Sequence, residues 1–217
     1  MNIKAISILI IVPLLIFVIA IVLNDRSLQN IPYKEGETEK LEISNKEKVP
    51  PPDKRLDLIK DYKAILKTTE GDITIKLNAI DTNMTTTNFV YLSKLGFYDG
   101  LTFHRIVKDF MIQTGDPRGD GTGGPGYDFP DEPFDGEYTR GTVAMANSGE
   151  NTNGSQFFIM QKDNLDMPKN YTIFGKVIEG IEVVDKIANT PVSDNGAGEI
   201  SKPDYPVNIV SVEIIEE

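Results

Sequence analysis

The feature that most constrains this chain is the rhythm of everything beyond Asp61: short apolar runs, separated by turns rich in Gly, Pro, Asn and Asp. Tyr62 to Thr68 and Ile73 to Leu77 alternate apolar and polar residues on either side of Glu70, Gly71 and Asp72, the pattern of a β-hairpin with one buried face. Further short strands are expected at Leu101 to Val107, Phe110 to Gln113, Gly141 to Met145, Gln156 to Met160, Ile173 to Val177 and Val207 to Ile215. The last of these is strongly β-prone and should pair within the sheet. Only two segments read as helical. One has Asp81 or Thr82 as its cap, Phe89, Val90, Leu92 and Leu95 at helical spacing, and Gly96 to end it. The other runs from Ile181 to Ala188. Many short strands with two helices predict a mainly β domain, a closed antiparallel barrel with a helix over one mouth.

Within that framework Phe103 to Gln113, FHRIVKDFMIQ, places one cation among large apolar side chains. Strand alternation would set Phe103 and Arg105 on one face and His104 and Ile106 on the other. An arginine on a surface that also carries Phe110 and Met111 offers permanently charged donors beside an apolar socket, which suits a ligand with a carbonyl next to an apolar ring. The same stretch can also be read as an ordinary core strand with an arginine at its edge. His104, on the opposite face by the same alternation, reads as a packed structural residue rather than a general base.

Met145 to Ile159, MANSGENTNGSQFFI, adds an Asn- and Gly-rich loop between two apolar strand ends. Together with FHRIVKDFMIQ, the GTGG spacer at Gly121 to Gly124 and FGKV at Phe174 to Val177, it resembles the cyclophilin family of peptidyl-prolyl isomerases from about Tyr62 to the C-terminus. The resemblance implies a closed eight-stranded barrel capped by two helices. It implies Arg105 as the catalytic arginine and Gln113 as the residue that orients it. Phe110, Met111 and Phe158 would form the proline pocket, with Ala146 and Asn147 at backbone-binding positions and Gln156 beside them. The match weakens farther on. Asp166 falls where many members have tryptophan, Met167 where they have a pocket leucine, and Tyr171 where they have histidine, and the chain has no tryptophan. Met167 can still pack on a ring and Tyr171 can still close the pocket, so isomerase activity is expected to survive while cyclosporin, which uses that tryptophan in the family, binds weakly. Two readings remain: an isomerase that accelerates X-Pro rotation in proteins and assists their folding, with no covalent intermediate, and a module that holds Pro-containing segments without turnover. A purely structural surface protein would not need the full set of Arg105, Phe110, Met111, Gln113 and Phe158.

Composition narrows the partners. The net charge of −11, without a basic stripe, argues against nucleic acid. With no cysteine and a single histidine, no Cys- or His-cluster metal site is available and no cofactor is expected, while a Ser/His/Asp triad would need His104. Proline-containing polypeptides are the expected partners, and with no heptad repeat a monomer is expected.

The N-terminus reads differently. Ala5 to Leu23 is apolar apart from Ser7 and Pro13, long enough at ~1.5 Å per residue to span the ~30 Å hydrocarbon core as one helix. Residues 1–24 are therefore expected to be a transmembrane anchor, or a signal peptide if cleaved, with the domain outside the cytoplasm or secreted. Residues 25–60, rich in Glu, Lys, Asn and Ser and carrying Pro50, Pro51 and Pro52, read as a flexible linker, and 61–217 as the isomerase domain.

Other motifs invite alternatives. GTGGPG at Gly121 to Gly126 satisfies a dinucleotide-binding pattern but lacks the helix such a site needs. Arg118, Gly119 and Asp120 form an RGD triplet in a glycine-rich loop and are read as accidental. Asp116, Asp120, Asp128 and Asp131 are too irregular for a calcium loop and are read as solvated surface. Asn83, Asn153 and Asn170 begin glycosylation patterns, of which the last two would crowd the proposed groove and are expected to be bare.

Overall fold

The computed structural model describes residues 43–217. The expected anchor over 1–24 and the first half of the expected linker, 25–42, lie outside these residues. Among the described residues no helix is long and apolar enough to cross a membrane.

The chain enters through a 3-10 helix, Ile43–Lys48, and then alternates as the sequence rhythm predicts. The hairpin is β1 (Tyr62–Thr68) and β2 (Gly71–Leu77), followed by helix α1 (Asn83–Lys94). Four short strands come next: β3 (Arg105–Val107), β4 (Met111–Thr114), β5 (Thr142–Met145) and β6 (Phe157–Met160). After β7 (Ile173–Glu179) and helix α2 (Ile181–Ala188), β8 (Val192–Asp194) and β9 (Ile200–Pro203) form a ribbon of their own, and β10 (Ile209–Glu216) ends the chain. Eight strands make one antiparallel sheet in the order β10-β1-β2-β7-β5-β6-β4-β3.

The sheet does not close. It curls through 202° into a half-barrel, so the expected closed eight-stranded barrel is corrected to an open one. The edge strands β3 and β10 share no ladder; the segment leading into β3 meets the start of β10, at the bridge Thr102↔Asn208, with Phe103 donating to the Val207 carbonyl at 2.9 Å and Ile209 to that of Leu101 at 2.8 Å. The physical reason lies in the short edge. β3 begins only at Arg105, and beyond that point β9, not β10, lies against it.

The interior is apolar because the strands present every second residue inward. Ala64, Leu66, Ile73, Ile75 and Leu77 are buried from the hairpin, and Phe89 and Leu92 of α1 and Val184 and Ile187 of α2 cover them. β5 and β6 are buried on both faces. Val143, Met145, Phe157 and Ile159 join the main core, whereas their neighbours Ala144, Phe158 and Met160 turn the other way into a second cluster with Met111, Tyr138 and Ile173. That second cluster underlies the site described below.

Three local expectations need correction. Phe103 was placed with Arg105, yet Phe103 and Ile106 both enter the main core, because strand geometry starts at Arg105 and alternation does not reach back through His104. Thr82 is the N-cap of α1, but its hydroxyl donates to the Asn78 carbonyl; the cap is supplied instead by Glu132, whose carboxylate accepts the N–H groups of Met84 at 2.8 Å and Thr85 at 2.7 Å. The flexible-linker reading does not fit residues 46–56, whereas 57–60 are exposed. Lys46 and Val49 are buried, Lys46 Nζ donates to the Asp99 carbonyl at 2.6 Å, Val49 N–H to that of Pro125 at 2.9 Å, and Leu56 N–H to Thr87 Oγ1 at 3.0 Å. Residues 46–56 form a strap, since the apolar side chains of Val49 and Leu56 find the same core as the strands.

Candidate active site

The site is a row of residues that the ladder aligns across four strands. Arg105 of β3 faces Gln113 of β4, Gln113 faces Phe158 of β6, and Phe158 faces Ala144 of β5. On that outer face a pocket of about 200 Å³ is lined by Arg105, Phe110, Met111, Gln113, Ala146, Asn147, Phe158, Met167 and Tyr171. Every residue that the family resemblance assigns to the site is there except Gln156. That residue lines an adjoining, more polar pocket of about 430 Å³, which shares Gln113, Ala146 and Asn147 with the first and includes Glu47 of the strap and Arg118 of the glycine-rich loop, themselves an ion pair.

The apolar end is built from aromatic rings packed against one another. Phe158 meets Tyr171 edge-on with ring centroids 5.6 Å apart, and Tyr138 supports both from below. The buried Tyr138 hydroxyl donates to the Tyr171 carbonyl at 2.9 Å and accepts from its N–H at 3.0 Å, and burial pushes its pKa up to about 12. Sequence reasoning missed Tyr138, which sits in a loop with no pattern to mark it.

The polar end is a relay whose direction is fixed. Gln156 Nε2 donates to the carbonyls of Gly121 at 3.0 Å and Gly123 at 2.9 Å, so its oxygen is the acceptor for Gln113 Nε2 at 3.0 Å. The Gln113 oxygen is thereby turned to Arg105 and accepts from Nη1 at 3.2 Å. The glycines that mimic a nucleotide loop thus have a structural use here, as carbonyl anchors.

Arg105 has a second partner that no motif announced. Glu199, just before β9, accepts from Nε and from Nη2, each at 2.7 Å, in the two-point geometry that guanidinium and carboxylate favour. The bonds to Arg105 hold the Glu199 carboxyl down at about 2. Of the five guanidinium N–H groups, Glu199 takes two and Gln113 one. What remains is one at Nη2 and one at Nη1, the latter with only the Met111 thioether at 3.8 Å. The arrangement can therefore present oriented, charged donors at the rim of an apolar pocket.

The other candidates fall outside. His104 lines neither pocket; both its ring nitrogens are buried without a hydrogen-bond partner, and burial lowers its pKa. Asp116 is not surface, as expected, but buried, its carboxylate accepting the N–H groups of Arg118 at 2.8 Å and Asp120 at 3.1 Å to hold the loop. Asn153 is fully buried and its amide donates to Phe129 and Asp131, so it is no glycan acceptor.

Comparison with known proteins agrees with this architecture. The family model "Cyclophilin type peptidyl-prolyl cis-trans isomerase/CLD" matches residues 63–214. The chain is 43% identical over 159 residues to the human peptidylprolyl isomerase domain and WD repeat-containing protein 1, covering 70% of this chain and 24% of that protein. It is 35% identical over 190 residues to a putative peptidyl-prolyl cis-trans isomerase of Staphylococcus saprophyticus, covering 72% and 93%. It therefore spans about a quarter of the length of the WD repeat relatives but nearly all of the bacterial one. A crystal structure of a Cryptosporidium parvum cyclophilin-type isomerase superimposes with a TM-score of 0.67 at 34% identity, covering 72% of this chain and 99% of that one, and that protein has also been crystallised in the presence of the dipeptide Ala-Pro. From Lys63 to Ile214 this chain carries a cyclophilin-type isomerase domain, and it belongs to the cyclophilin-type peptidyl-prolyl cis-trans isomerase family.

Proposed function

We propose that the protein catalyses cis-trans rotation about X-Pro bonds in polypeptides and thereby assists protein folding. The observation that carries this reading is the fixed guanidinium of Arg105 at the edge of a pocket of about 200 Å³ floored by Phe158 and Met111. An X-Pro bond rotates in tens of seconds or longer because partial double-bond character raises a barrier of about 20 kcal/mol. As the bond twists, the imide nitrogen loses resonance and becomes a better hydrogen-bond acceptor. A donor aimed at it binds the twisted state more tightly than either planar isomer, which lowers the barrier.

In this mechanism the proline ring sits among Phe110, Met111, Phe158, Met167 and Tyr171, and Arg105 is the catalytic donor. Gln113 orients Arg105, with Gln156 fixing Gln113 in turn. Ala146 and Asn147 hold the peptide backbone on one side of the bond, so that the other side turns. That the Cryptosporidium relative was crystallised in the presence of the dipeptide Ala-Pro is consistent with a proline-containing substrate.

We further infer from the apolar stretch Ala5 to Leu23 that the domain works outside the cytoplasm, held at a membrane by its N-terminus or secreted after cleavage. Fractionation of cells, with protease added from outside, tests this: a soluble, protected protein contradicts it. The isomerase reading is tested by exchange rates on an X-Pro peptide. Acceleration that depends on Arg105 supports it, and binding without acceleration would leave a proline-peptide-holding module.

A further inference from the structure

The ribbon β8-β9 lies outside the main sheet and packs along β3, the strand that carries Arg105. Its connecting loop is held by its own side chains. Asp194 Oδ1 accepts the N–H of Gly196 at 2.6 Å, and Asn195 Oδ1 that of Ala197 at 2.8 Å. The Asn195 N–H donates to the Glu199 carbonyl at 2.9 Å, which ties the residue before β9 back to the end of β8. The loop thus presents one carboxylate, at a set height, to one cation.

The geometry at that cation is specific. Glu199 grips the Nε/Nη2 edge of the guanidinium with two bonds of 2.7 Å while Gln113 holds Nη1 from across the ladder. A planar group held at two edges has no freedom to turn about its last side-chain torsions. Held by Gln113 alone, through one bond of 3.2 Å, it would turn. The side chains of Arg105 and Glu199 are 34% and 39% exposed, so the pair contributes little as a surface ion pair, and its value lies in orientation.

We propose that Glu199 is a positioning residue for the isomerase reaction, acting through Arg105 as a second clamp opposite Gln113. This rests on the reading of Arg105 as the donor to the imide nitrogen. The clamp matters because that acceptor is neutral and weakly basic: the bond to it depends on direction more than on net charge. Aim lost in Arg105 is therefore lost at the transition state, while the proline ring still enters its pocket.

The test is line-shape and exchange NMR on the full chain with an Ala-Pro-containing peptide, giving kcat and KM separately, beside thermal unfolding. The variants are Glu199→Ala, Glu199→Gln and Glu199→Asp. Glu199→Gln is informative because its amide N–H would face the guanidinium donors, leaving one acceptor where there were two. We expect Glu199→Ala and Glu199→Gln to lower kcat roughly 3- to 10-fold with KM changed by less than about 2-fold, and Glu199→Asp to recover part of the loss. The Arg105 Nε–H resonance should exchange slowly in the parent, where Glu199 accepts from it at 2.7 Å, and broaden or shift in Glu199→Ala and Glu199→Gln. Unchanged kcat in an active protein overturns the proposal and leaves a surface ion pair. A rise in kcat/KM overturns it in the other direction, making Glu199 a competitor of the substrate for Arg105. A parent without isomerase activity fails the functional reading itself.

Discussion

Gln113 stands opposite Arg105 in the β3-β4 ladder, and its amide oxygen accepts from Arg105 Nη1 at 3.2 Å only because its nitrogen is committed to Gln156 at 3.0 Å. The orientation of one amide is thus set by the next, back to the carbonyls of Gly121 and Gly123.

Breaking this relay should lower catalysis without unfolding the domain. Gln113→Ala is expected to reduce kcat/KM about 10-fold, and Gln156→Ala less, since Gln113 keeps its place in the strand. In the double variant the two losses should not add, because both act through the same guanidinium. Additive losses would show that the two glutamines act separately.

The ion pair should appear in the pH dependence of stability. The Glu199 carboxyl has its folded-state pKa depressed from an ordinary 4.5 to about 2. Its contribution is therefore fully present above about pH 4.5 and is lost as pH falls from there toward 2. For a pair this exposed the contribution is about 1 kcal/mol or less. Denaturant melts of the parent and Glu199→Gln should differ at pH 6 and converge near pH 2.

His104 adds a slope of its own nearer neutrality. Burial lowers its pKa in the folded state, so below the ordinary value of 6.5 the unfolded chain takes up a proton that the folded protein resists. Stability should therefore fall as pH drops through 6.5, and His104→Gln should flatten that part of the profile. An unchanged slope in the variant would mean that His104 titrates freely.

The strap makes its own prediction. A chain starting at Asp61, where the sequence places the domain boundary, would lose the burial of Val49 and the packing of Leu56, together with the bonds of Lys46. It should unfold about 6–12 °C below the full chain, from a loss of about 3 kcal/mol. Equal melting temperatures would show that the strap contributes nothing.

Cyclosporin should inhibit weakly. Met167 and Tyr171 line the pocket where leucine and histidine are usual in the family, and no tryptophan exists anywhere in the chain to receive the inhibitor. Inhibition as tight as in tryptophan-bearing family members would contradict this.

These residues also show what a single sequence discloses. The hairpin, both helices and the grouping of Arg105, Gln113, Phe158, Met167 and Tyr171 were legible because strand alternation and helical spacing are local, and because the loop motifs of the family are contiguous. Glu199, Glu132 and Tyr138 were not. Each acts on a residue far away in the chain, Arg105, Thr85 or Tyr171, from a loop whose local pattern says only that it turns. The open sheet was missed for the same reason: whether β3 meets β10 depends on a ribbon inserted between them in sequence. The strap was hidden by its composition, since charge and proline around Val49 and Leu56 resemble a linker until the core that receives them is known.

The central claim is that Arg105 is the donor that lowers the barrier. Its most direct test is the cis-to-trans exchange rate of an X-Pro peptide with the full chain and with Arg105→Ala and Arg105→Lys. The account predicts that the parent accelerates exchange, that Arg105→Ala loses at least about 100-fold of kcat/KM, and that Arg105→Lys recovers little, since an ammonium cannot be held at two edges. An Arg105→Ala protein as fast as the parent would contradict it.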